Sequence, residues 1–253
     1  MIALPLPAPV GYVAWGAGVA LFAGVVRGFA GFGLSAFIVA GMSLLLPPQR
    51  IVPAAMMLEI LASLSLLPSV WRHVAWHWIG PLLAGYAVAV PLGVWCLATL
   101  PEAPLRIAVS VVIFVAALIM LRGWHPKLRD TIALRLGTGL GSGFLSGLSS
   151  IGGMFAATML FTTSLPGVRL RATLITLFFV SAWYGLAWAW QQGLATGATA
   201  LWAAWLLAPM LVGIAIGRRF FARAAEAQFR RSVLRVLAGV AAVGLVRALF
   251  AFF

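Results

Sequence analysis

Six apolar segments along the chain have the length of a helix that spans a membrane. Such a helix needs roughly 20 apolar residues to cross the hydrocarbon core of a bilayer, and most of the charged residues lie outside these segments. The segments are Pro53–Val70, Trp78–Ala98, Pro104–Leu121, Ala172–Trp190, Ala198–Ile216 and Ser232–Phe252. The pattern predicts an all-α integral membrane protein.

Two longer apolar stretches, Val10–Leu46 and Ile132–Leu165, are each interrupted by glycines. Three glycines lie between positions 28 and 33 of the first stretch, and seven lie between positions 137 and 153 of the second. We expect each stretch to be two half-helices joined by a non-helical tip, which together form a hairpin that returns to its starting side. Two short complete crossings per stretch would give the same topology, so both arrangements stay open.

The amino-acid composition excludes a soluble protein. Hydrophobic residues make up 64% of the chain and charged residues 8%, whereas soluble domains are about half apolar and about a quarter charged. The formal net charge is +13, but apolar residues separate the cations, so we expect membrane lipid and not nucleic acid as a partner. The single Cys96 excludes an intramolecular disulfide and a multi-cysteine metal site. We expect no metal and no cofactor.

The distribution of the cations favours the hairpins. If both long stretches return, thirteen of the 17 Lys and Arg residues fall in connections on one side and two on the other. A single crossing by the second stretch would move six arginines, between positions 218 and 235, to the other side. That arrangement opposes the rule that cytoplasmic loops carry the positive charge. The sequence therefore predicts a multi-pass membrane protein with its basic loops in the cytoplasm.

The chain also contains a weak internal repeat. The same topology makes residues 1–125 and 126–253 two inverted halves, each a glycine-broken hairpin followed by three transmembrane helices. Four pairs of identical residues share one offset of 119 positions: Gly28 and Gly147, Gly33 and Gly152, Pro47 and Pro166, Arg50 and Arg169. Inverted repeats with broken helices at matching positions indicate a secondary transporter whose site lies near the middle of the membrane.

The glycine-rich tips supply the candidate substrate site. A half-helix that begins inside the membrane presents unpaired backbone N–H groups and the positive end of its dipole, which attract an anion. Close helix packing is the alternative for each glycine, and hydrogen bonding within the helix is the alternative for each serine. The candidate substrate-binding residues are Arg27, Gly28, Gly31, Phe32, Gly33, Ser35, Ser146, Gly147, Ser149, Ser150, Gly152 and Gly153.

Two charges are expected inside the membrane, where an unpaired charge is costly. Arg27 precedes the first tip and either neutralises a bound anion, pairs with Glu59, or lies at an interface if Val10–Val26 crosses alone. Glu59 is the single acid within a predicted span, and it is a candidate coupling residue as a proton carrier or as the partner of Arg27. Thr173 and Thr176 occupy comparable positions in the second half and are further coupling candidates.

The glycine motifs carry a family resemblance. The segment at 27–33 (Arg-Gly-Phe-Ala-Gly-Phe-Gly), the apolar run to Pro47 and Pro48, and the segment at 143–153 (Gly-Phe-Leu-Ser-Gly-Leu-Ser-Ser-Ile-Gly-Gly) resemble the TauE/SafE family of sulfite and organosulfonate exporters. The resemblance covers nearly the whole chain. It implies a bacterial inner-membrane permease that exports sulfite, sulfoacetate or a related small anion.

The broken helices and the inverted repeat predict a secondary transporter that works by alternating access, with a proton as one option for the coupling ion. The resemblance implies that it exports a small sulfur-containing anion. An anion-selective channel, or a carrier for another oxyanion or carboxylate, is the alternative. An intramembrane enzyme is not expected, because His73, His77 and His125 all lie in connections, away from the serines of the tips. A homodimer is left open.

Overall fold

The computed structural model describes residues 9–122, 129–161, 163, 165–221 and positions 235, 239, 242 and 246. Within these residues the regular secondary structure is helical, with one short 3₁₀ turn at Trp71–His73. The α-helices are α1 (Val10–Ala30), α2 (Leu34–Met42), α3 (Pro48–Val70), α4 (Trp76–Thr99), α5 (Glu102–Leu121), α6 (Ile132–Ser149), α7 (Gly152–Phe161), α8 (Gly167–Gln191) and α9 (Gly197–Phe221). The last predicted span, Ser232–Phe252, lies outside the described residues except at positions 235, 239, 242 and 246.

Six of the described helices are long and apolar enough to cross a membrane: α1, α3, α4, α5, α8 and α9. This confirms the all-α integral membrane class and a multi-pass protein. Five of them match predicted spans, but α3 and α8 each begin five residues earlier than predicted, at Pro48 and Gly167. The first turns of α3 and α8 contain Arg50, Arg169 and Arg171. Because these residues are charged, the apolar run begins several residues after the helix itself.

Each long stretch folds as two antiparallel helices joined by a tip. In the first, Gly31 (φ 78°) and Gly33 (φ 93°) adopt left-handed backbone conformations, which glycine reaches without steric cost, between α1 and α2. Trp15 Nε1 donates to the carbonyl of Gly41 at 3.0 Å, so α2 runs back along α1. In the second, Ser150 (φ 57°) ends α6 in the same way, and Ser150 follows Gly31 by 119 positions, the repeat offset.

The arms of the hairpins are unequal, which corrects the expectation of two half-helices. The first arms, α1 and α6, have 21 and 18 residues, or about 31 and 27 Å at the helical rise. The second arms, α2 and α7, have 9 and 10 residues, or about 14 and 15 Å. The second arms therefore have the length of half-helices, as expected, whereas α1 by itself is long enough to cross the membrane.

One end of the bundle, which we call the basic end, collects most of the described cations. Arg135 Nη1 donates to the carbonyl of His77 at 3.0 Å, and the backbone N–H of Ala75 donates to Thr173 Oγ1 at 3.0 Å. These bonds bring together the starts of α4, α6 and α8. Arg135 Nε also donates to Asp130 Oδ1 at 2.8 Å, and this hydrogen bond lowers the pKa of Asp130. The second hairpin starts and finishes at this end.

The opposite end contains the start of α3, the end of α4 and the start of α5. Gln49 Nε2 donates to the carbonyl of Leu100 at 3.3 Å, and Arg106 Nη1 donates to the carbonyl of Ser43 at 2.6 Å. Since Ser43 follows α2, the first hairpin starts and finishes here. The opposite orientation of the two halves and their boundary near residue 125 stay predictions, which this arrangement supports.

The most extensive helix contacts join each hairpin to the other half of the chain. The first hairpin packs through α1 on α9, and the second packs through α6 on α4. Glycines allow the backbones to approach closely: a Cβ at Gly24 would overlap the Met210 carbonyl, and a Cβ at Gly85 would overlap the Leu136 carbonyl. These contacts place each hairpin among helices of the other half, as expected of the single membrane domain that the sequence predicts.

Candidate functional site

A small cavity of about 30 Å³ lies between the two hairpin tips. Both halves line it, and its polar wall consists of Ser35, Glu59, Ser146, Ser150 and Ser181. On this measure one water needs about 10–15 Å³, so the cavity has room for about two waters. A polyatomic anion therefore fits only after the helices around the cavity have moved apart.

Glu59 lies at the midpoint of α3, with eleven residues of the helix before it and eleven after it. Its side chain is 9% exposed. In the predicted span, which begins at Pro53, Glu59 is the seventh residue, whereas the observed start at Pro48 makes it the twelfth and places it farther from the helix end. A carboxylate at this depth requires a partner or a proton.

The partner of Glu59 is Arg27. The Arg27 Nη2 and Glu59 Oε1 atoms are 2.7 Å apart, and the guanidinium is fully buried. Arg27 also donates to Ser63 Oγ at 2.6 Å and to the Gly31 carbonyl at 2.5 Å, while Ser35 Oγ donates to Glu59 Oε2 at 2.6 Å. Of the three readings of Arg27, this structure contains the ion pair with Glu59. Arg27 lies in the last turn of α1 and is buried inside the protein, so its depth in the membrane stays a prediction.

Phe178 completes this group from the second half. Its ring centroid lies 5.0 Å from Arg27 Cζ, which is within cation–π range, and the ring also lines the cavity. Sequence reasoning did not single out Phe178. The repeat offset could have found it, because position 178 follows Glu59 by 119 residues.

Of the predicted substrate-binding residues, five line the cavity: Gly33, Ser35, Ser146, Ser150 and Gly153. The other predicted substrate-binding residues do not line the cavity and contact neighbouring helices or groups within their own helix. Gly28 and Gly147 lie against the carbonyls of Ile214 and Val90, as the packing alternative expects. Ser149 Oγ donates to the Leu145 carbonyl at 2.9 Å, as its helical alternative expects.

The remaining tip residues make close contacts around the hairpins. A Cβ at Gly152 would overlap the carbonyl of Ser142, so α7 starts in direct contact with α6. Phe32 meets the ring of Phe161 edge-on, with the centroids 6.3 Å apart. Gly31 lies beneath the side chain of Arg171. These residues fix the positions of the two tips.

The two threonines proposed for coupling lie away from the cavity wall. Thr173 Oγ1 donates to the Arg169 carbonyl at 2.8 Å and accepts the Ala75 N–H. Thr176 Oγ1 donates to the Ala172 carbonyl at 3.0 Å. Both hydroxyls are therefore engaged in hydrogen bonds near the start of α8.

A comparison with known families identifies the class of transporter. The family described as sulfite exporter TauE/SafE matches residues 16–244. The chain belongs to this family. It is 27% identical to a probable sulfite/organosulfonate exporter TauE of Cupriavidus necator, over 84% of this chain and 85% of that protein. No solved structure matches the chain. The buried Arg27–Glu59 pair thus lies in a multi-pass membrane transporter of the TauE/SafE family.

Proposed function

We propose that this protein exports sulfite or a small organosulfonate by alternating access, and that a proton binds together with the anion. The observation that carries the proposal is the Arg27–Glu59 ion pair at the middle of α3, beside a cavity that both hairpin tips line. The family and the name of the relative from Cupriavidus necator support the class of substrate.

The ion pair gives the anion and the proton a common binding step. An anion that enters the cavity competes with Glu59 for the guanidinium of Arg27. Two negative groups beside one buried cation repel each other, so Glu59 takes up a proton when the anion displaces it. Ser35, which donates to Glu59, can then donate to the anion.

Backbone groups at the two tips complete the anion site. Helices α2 and α7 begin beside the cavity, at Leu34 and Gly152, and their neighbours Gly33 and Gly153 line it. The first N–H groups of a helix lack intrahelical partners and favour negative charge. Because the two helices come from different halves, rocking of one half against the other opens the cavity to either end in turn.

A proteoliposome assay tests this function. The purified protein is compared with empty liposomes for uptake of sulfite, sulfoacetate, sulfate and a neutral solute of similar size. We expect saturable uptake of the sulfur anions, and an affinity that rises as the pH falls because protons are taken up on binding. In Glu59→Gln this pH dependence should disappear. Saturable uptake of the neutral solute alone would reject the anion transporter, and uptake that never saturates would indicate a channel.

We also propose that the basic end faces the cytoplasm of the cell inner membrane, as the charge distribution predicts. Cysteines at Gln191, the last residue of α8, and at Arg129, near the start of α6, report the two sides; both positions are exposed. In a Cys96→Ala background, an impermeant thiol reagent added to intact cells should label Gln191→Cys directly. Arg129→Cys should react only after permeabilisation. The reverse result would refute this orientation.

A further inference from the structure

A second cavity, of about 270 Å³, lies at the basic end between α3, the 3₁₀ turn, α8 and α9. Its wall contains two arginines, one histidine and one serine, and no acidic side chain among the described residues. The lining residues are Ser69, Val70, His73, Val168, Arg171 and Arg218. The cavity is about nine times larger than the central one and has room for a polyatomic anion without any rearrangement.

Arg171 connects this cavity to the first hairpin tip. Its Nη2 atom donates to the carbonyl of Gly28 at 2.8 Å, and its side chain lies over Gly31. These positions form the last turn of α1, where backbone carbonyls give the helix a negative end that attracts a cation. Gly33, at the other side of the same tip, lines the central cavity. The tip therefore separates the two cavities, and Arg171 contacts it from the basic side.

We propose that the basic-end cavity is a second anion site, in which Arg171 and Arg218 hold a small oxyanion before it reaches the central site. This inference rests on the proposed function for the identity of the anion. Guanidinium groups match the geometry of sulfur and phosphorus oxyanions through paired hydrogen bonds. A concave wall that carries charge of one sign also raises the local concentration of the opposite ion.

Occupancy of this site would act on the tip. An anion bound by Arg171 competes with the Gly28 carbonyl for the same guanidinium. Loss of that bond removes a contact that holds the end of α1 next to the tip. Binding at the basic end therefore favours movement of the first hairpin, which must move before a polyatomic anion enters the central cavity.

The chain offers matched controls for a test. Arg218 lines the cavity, and the adjacent Arg219 does not; both are exposed at the end of α9. Arg171 and Arg169 form a second such pair in the first turns of α8. Each pair loses the same charge at the same end of the bundle when arginine is replaced by glutamine. Arg218 and Arg219 are matched in exposure as well, whereas Arg171 is half-buried and also loses its bond to the Gly28 carbonyl.

The first measurement is the thermal shift that inorganic sulfate produces in the detergent-solubilised full chain. Arg218→Gln and Arg171→Gln should each weaken the apparent affinity for sulfate by about tenfold or more, the effect of one lost charge-assisted hydrogen bond. Arg219→Gln and Arg169→Gln should match the wild type. Equal affinities in all four variants, or equal losses within each pair, would overturn the inference. This measurement does not require transport, so it remains decisive even if the wild type moves no anion.

The second measurement identifies the source of the oxyanion. Anion uptake is measured in liposomes of neutral phosphatidylcholine and in liposomes that also contain phosphatidylglycerol. A higher KM with unchanged kcat for Arg218→Gln in neutral lipid would identify the free transported anion as the occupant. A difference between Arg218→Gln and Arg219→Gln that requires phosphatidylglycerol would identify a lipid phosphate, and identical behaviour of this pair in both lipids would refute the site.

Discussion

Removal of the Glu59 carboxylate should leave Arg27 as a buried cation, and a transported anion should then replace the lost partner. The two side chains are 2.7 Å apart, with 0% and 9% of their surfaces exposed. Two unit charges about 4 Å apart attract by about 4 kcal/mol at an effective dielectric constant of about 20. Breaking a buried pair by removing one partner costs about 3–5 kcal/mol. We therefore expect a large loss of thermal stability in Glu59→Gln.

The assay is thermal unfolding of purified protein in detergent, with and without sulfite. Glu59→Gln and Arg27→Gln should both unfold at lower temperature than the wild type. The double variant should recover part of the loss, because it contains no unpaired buried charge. Sulfite should stabilise Glu59→Gln more than the wild type, since no carboxylate competes for Arg27, and it should have little effect on Arg27→Gln.

A surface ion pair of the same chemistry provides the control. Arg106 and Glu102 are 2.6 Å apart, with 22% and 51% of their side chains exposed. An exposed pair at this helical spacing contributes only about 0.3–0.5 kcal/mol, so Glu102→Gln should unfold near the wild-type temperature with or without sulfite. A double variant no more stable than the single ones would refute the buried pair. Equal stabilisation of Arg27→Gln and Glu59→Gln by sulfite would refute competition at Arg27.

Two further predictions concern the second tip. Ser150→Gly should raise the melting temperature, because Ser150 has φ 57° and a left-handed conformation costs about 1–2 kcal/mol for residues other than glycine. The control, Ser149→Gly in α6, should lower the melting temperature by the equivalent of about 0.5–1 kcal/mol. An unchanged melting temperature in Ser150→Gly would contradict the strain at this position. Gly152→Ala should reduce the yield of folded protein, because its Cβ would overlap the Ser142 carbonyl. Gly137→Ala, where a Cβ meets open space, should express normally, and equal yields would contradict the predicted clash.

The lengths of the apolar segments and the positions of the glycines were sufficient to predict most of the helices and the two hairpin tips. The apolar runs predicted five observed helices to within about five residues at each end, since the thickness of the bilayer sets the length of a crossing helix. The repeat offset relates the ends of α1 and α6, because Gly31 and Ser150 are 119 positions apart and both adopt left-handed conformations. The unequal arms were not predictable, because glycine shows where a helix can stop but not how far each arm extends.

The contacts of the site required the structure. Arg27 and Glu59 are 32 positions apart, and the sequence named their pairing as one of three options without a means to choose among them, because the start of α3 at Pro48 was not predicted. Sequence reasoning could state that the glycines of α1 allow close packing, but it could not choose α9 as the partner. The roles of Thr173 and Thr176 were assigned from repeat position alone. In the structure both hydroxyls donate to carbonyls of α8, and Thr173 also accepts the N–H of Ala75.

The two halves supply different parts of the central site. The repeat offset places Ser146 at the position of Arg27 and Phe178 at the position of Glu59, so the buried charges come from the first half. The Phe178 ring attracts the Arg27 guanidinium without neutralising it, so Arg27 remains a full counter-charge for an anion once Glu59 is protonated. A second ion pair at the repeated position would give the cavity two carboxylates to displace. With one pair, the arrival of one anion and one proton leaves the buried charge balanced, and only the helices have to move.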